Sequence, residues 1–207
     1  MVYQSSRQSL TSDSSQRASW AEILRRQVVP ILAWVGVALL LRWAVLEPRW
    51  IPSGSMLPNL QIQDRVLVEK VRSRLGMPLP LGTVVVFHAP QVLQEAGYDP
   101  NAALIKRVVG IPGDRVEVKG GQLWRNGLPV AQDWATEAPN YQMAPVTVPP
   151  ESLLVMGDNR NSSLDSHLWG PLANSDVIGT AVFRYWPLAR FGLIRTSPPA
   201  TAPGPSD

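Results

Sequence analysis

The sequence predicts a mostly β fold, in which a single N-terminal transmembrane helix precedes one β domain of antiparallel sheets joined by hairpins. Three observations predict it. The apolar run Val28–Leu46 is long enough to cross a ~30 Å hydrocarbon layer as a helix. Short alternating or β-branched runs follow it, and no long soluble helix pattern interrupts them. Gly120-Gly121 and Asn126-Gly127 lie between such runs, which is typical of tight hairpins.

The composition excludes several kinds of function. The chain has 207 residues, of which 45% are hydrophobic and 17% charged, and this suits a globular domain with a membrane segment. The net charge is +3 without a long Lys/Arg run, so we expect no nucleic-acid partner. The chain has no cysteine and only two histidines, His88 and His167, so we expect neither disulfides nor a metal site, and no cofactor.

The first residues, 1–26, lack an apolar period and are rich in Ser, Gln and Arg, which predicts a disordered cytoplasmic tail. Arg7 and Arg17 in this Ser-rich stretch are also compatible with a transit peptide, although Asp13 argues against one.

Residues 27–46 are predicted to be the membrane anchor. Arg25 and Arg26 precede the apolar run, which favours a cytoplasmic N-terminus. Its one charge, Arg42, lies near the end, where a long side chain can reach the interface, and Trp50 suits an interfacial belt. A cleaved secretory signal and a buried core helix are the alternatives. The length of the run and the missing small-x-small pair at its end favour an uncleaved anchor.

Residues 47–196 are predicted to form the β domain, and the Pro-rich residues 197–207 a disordered tail. Three segments of the domain are predicted to be irregular or looped: Gln91–Ala102, Ala131–Ala144 and Gly157–Gly170. The predicted strands, in order, are Arg65–Val71, Thr83–Phe87, Leu104–Val109, Arg115–Val118, Gln122–Arg125, Val146–Val148, Leu153–Met156 and Ala181–Trp186.

A candidate nucleophile follows the apolar run. Ser55 lies in a segment where Gly54 permits a turn and Pro52 and Pro58 prevent a helix. Such a turned segment can present a hydroxyl, and a serine needs a nearby base to become a nucleophile. An ordinary Ser/Gly/Pro loop leaving a helix is the alternative.

Lys106 is the candidate base, because it stands inside the apolar strand Leu104–Val109. Burial lowers the pKa of a lysine, and a neutral amine can accept the proton of a serine. An outward-facing lysine paired with an acid is the alternative for Lys106, and Lys70 beside Glu69 is expected to be one. A serine triad with His88 or His167 is a further possibility.

The third polar segment is the loop Gly157–Ser166, which holds Asp158, Arg160, Ser163 and Asp165. Taken alone, it fits Asx-type turns, and Asn161 begins a glycosylation sequon of the kind that often occurs by chance.

Four motifs, in this order, carry a family resemblance: PSGSMLPNL, VVVFHAP, LIKRVVGIPGDRV and GDNRNSSLDSHLWG. With the apolar run before them, the chain resembles the type I signal peptidases of bacteria, from the anchor to about Arg195. The tryptophan–glycine pair that ends the fourth motif and the later RYWP resemble cyanobacterial and plastid members.

The resemblance implies a role for each matching residue. Ser55 matches the nucleophile and Lys106 the general base of a Ser-Lys dyad. Ser53 matches the hydroxyl that forms the oxyanion hole together with the Ser55 backbone N–H, and Ser163 matches the residue that orients the lysine. Four residues match a structural network that holds the loop: Arg107, Asp158, Arg160 and Asp165. Two departures affect the surroundings: Thr83 stands where many members have aspartate, and His167 where many have arginine.

The implied function is removal of N-terminal signal peptides from secreted precursors through an acyl-enzyme. The expected partners are those precursors, the lipid bilayer and the protein translocation machinery. The domain is expected outside the inner (plasma) membrane, with the thylakoid membrane and a lumenal domain as the alternative. Met56 and Leu57 are expected to help an apolar surface dip into the interface. The remaining rivals are a self-cleaving repressor-type regulator and a catalytically inactive binding module.

Overall fold

The structure, a computed structural model, describes residues 12–131, 133–135 and 137–196, without the side chains of 12–21, 23 and 41–44. The ends predicted to be disordered, residues 1–11 and 197–207, lie outside the described residues, and so does the Arg42 side chain. The chain forms two compact units that divide between Ala44 and Val45.

The first unit contains helix α1, Ser12–Val45. It includes residues 12–26, for which the sequence predicted disorder. That stretch has no Gly or Pro and contains good helix formers such as Ala, Glu, Leu and Arg, so its polarity does not prevent a helix. Judged on length and hydropathy together, no helix in the described part of the chain qualifies as a membrane span. The anchor at 27–46 stays a prediction.

The described residues of the second unit form twelve strands and three short α-helices. The strands are β1 Leu46–Trp50, β2 Arg65–Glu69, β3 Val84–His88, β4 Ala103–Gly110, β5 Arg115–Lys119, β6 Gln122–Arg125, β7 Leu128–Pro129, β8 Met143–Thr147, β9 Ser152–Met156, β10 Leu172–Ala173, β11 Val177–Trp186 and β12 Gly192–Leu193. The helices are α2 Val71–Arg74, α3 Gln91–Glu95 and α4 Ser166–Trp169, with single 3₁₀ turns at Arg160–Ser162, Asn174–Asp176 and Leu188–Arg190.

These strands form two antiparallel sheets. The larger has eight strands in the order β1-β2-β11-β3-β4-β9-β10, with β12 paired to β11. The smaller has four strands in the order β7-β6-β5-β8. The mostly β, antiparallel fold predicted from the sequence is therefore confirmed.

Both predicted hairpin turns are present. Gly120-Gly121 joins β5 to β6, and Asn126-Gly127 joins β6 to β7. Asn126 and Gly127 both have positive φ angles, 54° and 81°. Two consecutive left-handed residues are what a tight hairpin needs, because that geometry matches the twist of the strands.

Several elements were not predicted, namely the strands β1, β7, β10 and β12 and the helices α2, α3 and α4. β1 was not predicted, because Leu46 was assigned to the anchor and Pro48 argues against a strand. β1 lies at the edge of the large sheet, where a proline is tolerated, and it pairs along its whole length with β2. Helix α3 lies in the segment Gln91–Ala102 that was expected to be an exposed loop, and its Leu93 is buried.

The large sheet is covered on both faces, which explains its continuous apolar strands. In β3, Val84 and Val86 belong to one buried cluster, while Val85 and Phe87 belong to another. The first cluster also contains Met56 and Leu60 from the segment after β1. This packing fixes the serine-containing segment against the sheet.

Candidate active site

Ser55 lies in a tight turn between β1 and β2. The turn is closed by the Leu57 N–H donating to the Gly54 carbonyl and the Leu60 N–H donating to the Met56 carbonyl. Met56 is fully buried in the core, so the expectation that it reaches a membrane interface is wrong. Its burial instead anchors Ser55, which is itself only 7% exposed.

Lys106 comes from the middle of β4, opposite Val85 of β3. Its Nζ lies 2.7 Å from Ser55 Oγ, and both residues are buried. Ser53 Oγ lies 3.4 Å from the same Ser55 oxygen, while its own residue is exposed. Three residues singled out from the sequence are thus brought together although Ser55 and Lys106 are far apart along the chain.

Burial lowers the pKa of Lys106 from 10.5 to about 8, while the negative charges of Asp165 and Asp158 oppose the shift. Burial dominates because the ammonium loses water and no carboxylate forms an ion pair with it in the described part of the chain. At pH 7 about one amine in ten is then neutral, against fewer than about one in a thousand for an ordinary lysine.

Arg107, the next residue, forms a bidentate ion pair with Asp158. Its Nε and Nη2 donate to the two carboxylate oxygens at 2.7 Å each, and both side chains are almost fully buried. Arg107 Nη1 donates to the carbonyls of Gly82 and Arg195, both at 2.7 Å. Paired guanidinium–carboxylate geometry is rigid, so this contact fixes the loop after β9 against β4.

Asp165 contacts His167, the residue that stands where many family members have arginine. His167 Nδ1 lies 2.7 Å from Asp165 Oδ1, and the Gly157 N–H donates to Oδ2 at 2.8 Å. Burial alone would raise the pKa of Asp165, but these hydrogen bonds lower it. His167 also stacks on Tyr141, with the ring centroids 4.1 Å apart. The histidine therefore takes the position beside Asp165 that was in doubt.

Arg160 does not complete the expected salt-bridge network. It is 1% exposed, and its Nη1 donates to Met156 Sδ at 2.9 Å. Its Nε and Nη2 have no hydrogen-bond partner among the described residues. Burial lowers the pKa of Arg160, and the longer-range attraction of Asp158 and Asp165 together with the nearby Tyr141 hydroxyl opposes that shift.

Ser163 and Gly157 meet the nucleophile segment from the other side. The Ser163 hydroxyl is buried and makes no hydrogen bond of standard geometry within the described ranges, but it lies close enough to the Asp165 carboxylate to help lower the pKa of that acid. A methyl group at Gly157 would lie 2.5 Å from the Ser55 carbonyl oxygen and closer still to Ser163 Oγ. The Asn159 N–H donates to that same Ser55 carbonyl at 3.0 Å. Glycine is required here for close approach, a need that the sequence did not reveal.

Sequence reasoning also missed a buried ion cluster under the serine segment. Asp64 is fully buried and accepts from Arg190 Nη2 at 2.6 Å and from Arg184 Nη1 at 3.3 Å. It also accepts from the Gln61 N–H at 2.9 Å. Arg184 Nη1 donates in addition to the Asn59 carbonyl at 2.8 Å. An acid directly before a strand, and arginines near the chain end, gave no local signal of this contact.

Neither histidine occupies the position that the base of a serine triad would need. His88 is exposed at the end of β3, and His167 is engaged with Asp165 and Tyr141. In the described part of the chain, Ser55 Oγ is within hydrogen-bond distance of Lys106 and Ser53 side chains. The geometry therefore favours lysine over histidine as the partner of the serine. Lys70, expected to be a surface lysine, is paired with Glu47 at 3.0 Å.

Comparison with known proteins gives a family match over most of the chain. The family described as "Signal peptidase, peptidase S26" matches residues 24–186. That range contains the serine segment, β4 and the loop after β9.

Three relatives illustrate the similarity. A Synechocystis protein described as probable signal peptidase I-1 is 44% identical over 173 residues, covering 84% of this chain and 88% of the relative. The signal peptidase I of Leptolyngbya laminosa is 44% identical over 79% of this chain and 80% of its own length. The probable thylakoidal processing peptidase 2 of Arabidopsis thaliana is 48% identical over 74% of this chain and 41% of its own length.

Proposed function

Because the chain belongs to the signal peptidase family, peptidase S26, and is similar to cyanobacterial and thylakoidal members of it, we propose that it removes N-terminal signal peptides with a Ser55–Lys106 dyad through an acyl-enzyme. The observation that carries the proposal is the buried 2.7 Å contact between Lys106 Nζ and Ser55 Oγ. A buried amine of lowered pKa is a base that works near neutral pH.

The proposed reaction begins with neutral Lys106 accepting the Ser55 hydroxyl proton. The Ser55 oxygen attacks the carbonyl of the scissile peptide bond, and the lysine returns the proton to the leaving amine. An ester between Ser55 and the signal peptide remains. Lys106 then takes a proton from a water molecule, which attacks the ester; the bond to Ser55 breaks, the signal peptide leaves as a carboxylic acid, and Lys106 returns the proton to the Ser55 oxygen.

The negative charge that develops on the reacting carbonyl oxygen must be stabilised by hydrogen-bond donors. The Ser53 hydroxyl and the Ser55 backbone N–H are the proposed oxyanion hole, which is supported by the 3.4 Å distance between the two serine oxygens. Loss of one such donor typically raises the barrier by about 3 kcal/mol. Once protonated, Lys106 needs an acceptor other than the attacking oxygen. The buried Ser163 hydroxyl is proposed to orient it, and Arg107, Asp158, Arg160 and Asp165 to hold the surrounding loop.

We also propose that residues 27–46 anchor the enzyme in a bilayer. The support is the apolar run with its preceding arginines, together with exposed apolar side chains along α1, such as Trp34 at 73%. Trp50 and Trp186 are largely exposed and both pair with Arg65 across the sheet, which suits a lipid interface.

The proposed location is the inner (plasma) membrane, with one span, a cytoplasmic N-terminus and the β domain outside. The alternative is the thylakoid membrane with a lumenal domain. The substrates are precursors with small residues at positions −1 and −3, delivered by the protein translocation machinery.

The test is cleavage of a secretory precursor with an Ala-x-Ala site, by the full chain in lipid vesicles. Wild type is expected to cut after the second alanine, while Ser55→Ala and Lys106→Ala are expected to lose activity by at least about 10³-fold. Lys119→Ala is the matched control, because Lys119 is half exposed and lies in β5 of the small sheet, whereas Lys106 lies in the large sheet.

Each other outcome identifies a different error. If wild type cuts no precursor at any pH between 6 and 10, the protein is an inactive binding module. If folded Lys106→Ala still cuts, the base is not Lys106, and His88→Ala and His167→Ala become the next variants. Thermal unfolding of each variant shows whether it is folded.

A further inference from the structure

Asn59 connects the turn that carries Ser55 to two other segments, the loop after β9 and the segment around Trp134. It lies four residues after Ser55, in the same turn, and its amide nitrogen makes two hydrogen bonds. Asn59 Nδ2 donates to Asp158 Oδ2 at 3.0 Å and to the carbonyl of Trp134 at 2.7 Å. Both amide hydrogens are thereby used, one on the loop after β9 and one on the segment that follows the small sheet's β7.

The carboxylate that Asn59 contacts is the one that holds Arg107. Asp158 accepts two hydrogen bonds from Arg107, and Arg107 directly follows Lys106 in β4. The Trp134 ring also lies over the Arg107 guanidinium, 4.9 Å from its carbon to the ring centroid. A continuous set of contacts therefore runs from the turn of the nucleophile, through Asn59 and Asp158, to the strand of the base.

We propose that Asn59 is a positioning residue that holds the Ser55 turn in register with the Lys106 strand, acting through Asp158 and Arg107. The proposal rests on the proposed function of the Ser55–Lys106 pair. Proton transfer from Ser55 to Lys106 depends on the 2.7 Å distance between Oγ and Nζ. A misplacement of about 1 Å in such a pair can lower the rate of catalysis by about 100-fold.

The experiment compares Asn59→Ala with Asn126→Ala in the full chain. Asn126 is a matched control, since its Nδ2 also donates to a carboxylate, that of Asp114, at 2.8 Å. It has a φ of 54°, where alanine is unfavourable, so the control variant is destabilised away from the site. Asn59→Asp, which keeps the shape of the side chain and removes both donors, is the second test variant.

Two readouts are measured well below the unfolding temperature. Precursor cleavage is expected to show kcat lowered about 10- to 100-fold in Asn59→Ala, with KM within about twofold of wild type. Asn59→Asp is expected to lose at least as much, because its carboxylate faces a carbonyl and another carboxylate. Asn126→Ala is expected to keep the wild-type kcat.

The second readout does not need turnover. The chain has three lysines, Lys70, Lys106 and Lys119, so ¹³C-labelled lysine gives three NMR signals that can be titrated. In Asn59→Ala the midpoint of the Lys106 signal is expected to move toward that of an ordinary lysine, because a loosened turn admits water. A purely structural role would lower the unfolding temperature and leave this midpoint in place.

An unchanged kcat in both Asn59 variants, or a loss of kcat of equal size in Asn126→Ala, overturns the proposal. So does an unmoved Lys106 midpoint in Asn59→Ala. If wild type cleaves no precursor, the proposed function fails, and the titration still decides whether Asn59 positions Lys106.

Discussion

Replacing Lys106 by methionine is expected to abolish cleavage and to stabilise the protein at neutral pH. Burial lowers the pKa of Lys106 from 10.5 to about 8, so the folded protein binds this proton more weakly than the unfolded chain does. At about 1.4 kcal/mol per pKa unit, the difference amounts to about 3 kcal/mol of lost stability. The variant also loses the hydrogen bond to Ser55, which offsets about 1 kcal/mol.

A net gain of about 2 kcal/mol corresponds to a rise in Tm of about 4–8 °C for a domain of this size. The loss of stability caused by burying the charged Lys106 is fully present below pH ~8, where the lysine is protonated in both the folded and the unfolded protein. It shrinks between pH ~8 and 10.5, because the folded protein loses the proton first, and it is absent above 10.5. The gain of the variant is therefore expected at pH 7 and not at pH 10.5.

The assay is thermal unfolding of wild type and Lys106→Met in detergent at pH 7, 9 and 10.5, followed by circular dichroism. Lys119→Met is the control, since Lys119 is half exposed and its removal is expected to change stability by less than about 0.5 kcal/mol. A variant that is no more stable than wild type at pH 7 would refute the reasoning. If Lys106→Met is more stable than wild type by the same amount at pH 10.5 as at pH 7, the stabilisation comes from better packing and not from removal of the buried charge.

Three further outcomes are expected. The rate kcat/KM for precursor cleavage should fall about tenfold per pH unit below pH ~8, because protonated Lys106 cannot act as a base. Gly157→Ala should lower kcat by at least about 100-fold in the same assay, since the added methyl group meets Ser163 and the carbonyl of the nucleophile. Asp64→Asn should lower the free energy of unfolding in urea by about 2–3 kcal/mol, because it leaves Arg190 without its carboxylate.

The two variants each have a matched control. Gly36→Ala adds a methyl group where nothing lies within 4 Å and should keep full activity. Glu117→Gln breaks an exposed ion pair and should change the unfolding free energy by less than about 1 kcal/mol. A rate that does not depend on pH between 6 and 8 would contradict the assignment of Lys106. Wild-type activity in Gly157→Ala, or wild-type stability in Asp64→Asn, would contradict the close packing on which these expectations depend.

Local pattern identified most of the strands. Val84–His88 and Ala103–Gly110 are runs of β-branched and apolar residues, and such runs form strands wherever both faces of a sheet are buried. Local pattern failed for β1, because Pro48 and the preceding apolar run point away from a strand. Pairing with β2 decided that segment, and pairing partners are not visible in a local window.

The antiparallel β fold, the two hairpin turns and the candidate residues Ser55 and Lys106 could be predicted from the sequence, because they depend on periodicity, turn chemistry and contiguous motifs. How these residues meet became visible only in the folded chain. The 2.7 Å contact of Lys106 with Ser55 and the contacts of Asn59 with Asp158 and Trp134 join residues that lie far apart along the chain. Burial of Lys106, which lowers its pKa, likewise depends on the packing of the whole sheet, and no local segment encodes that packing.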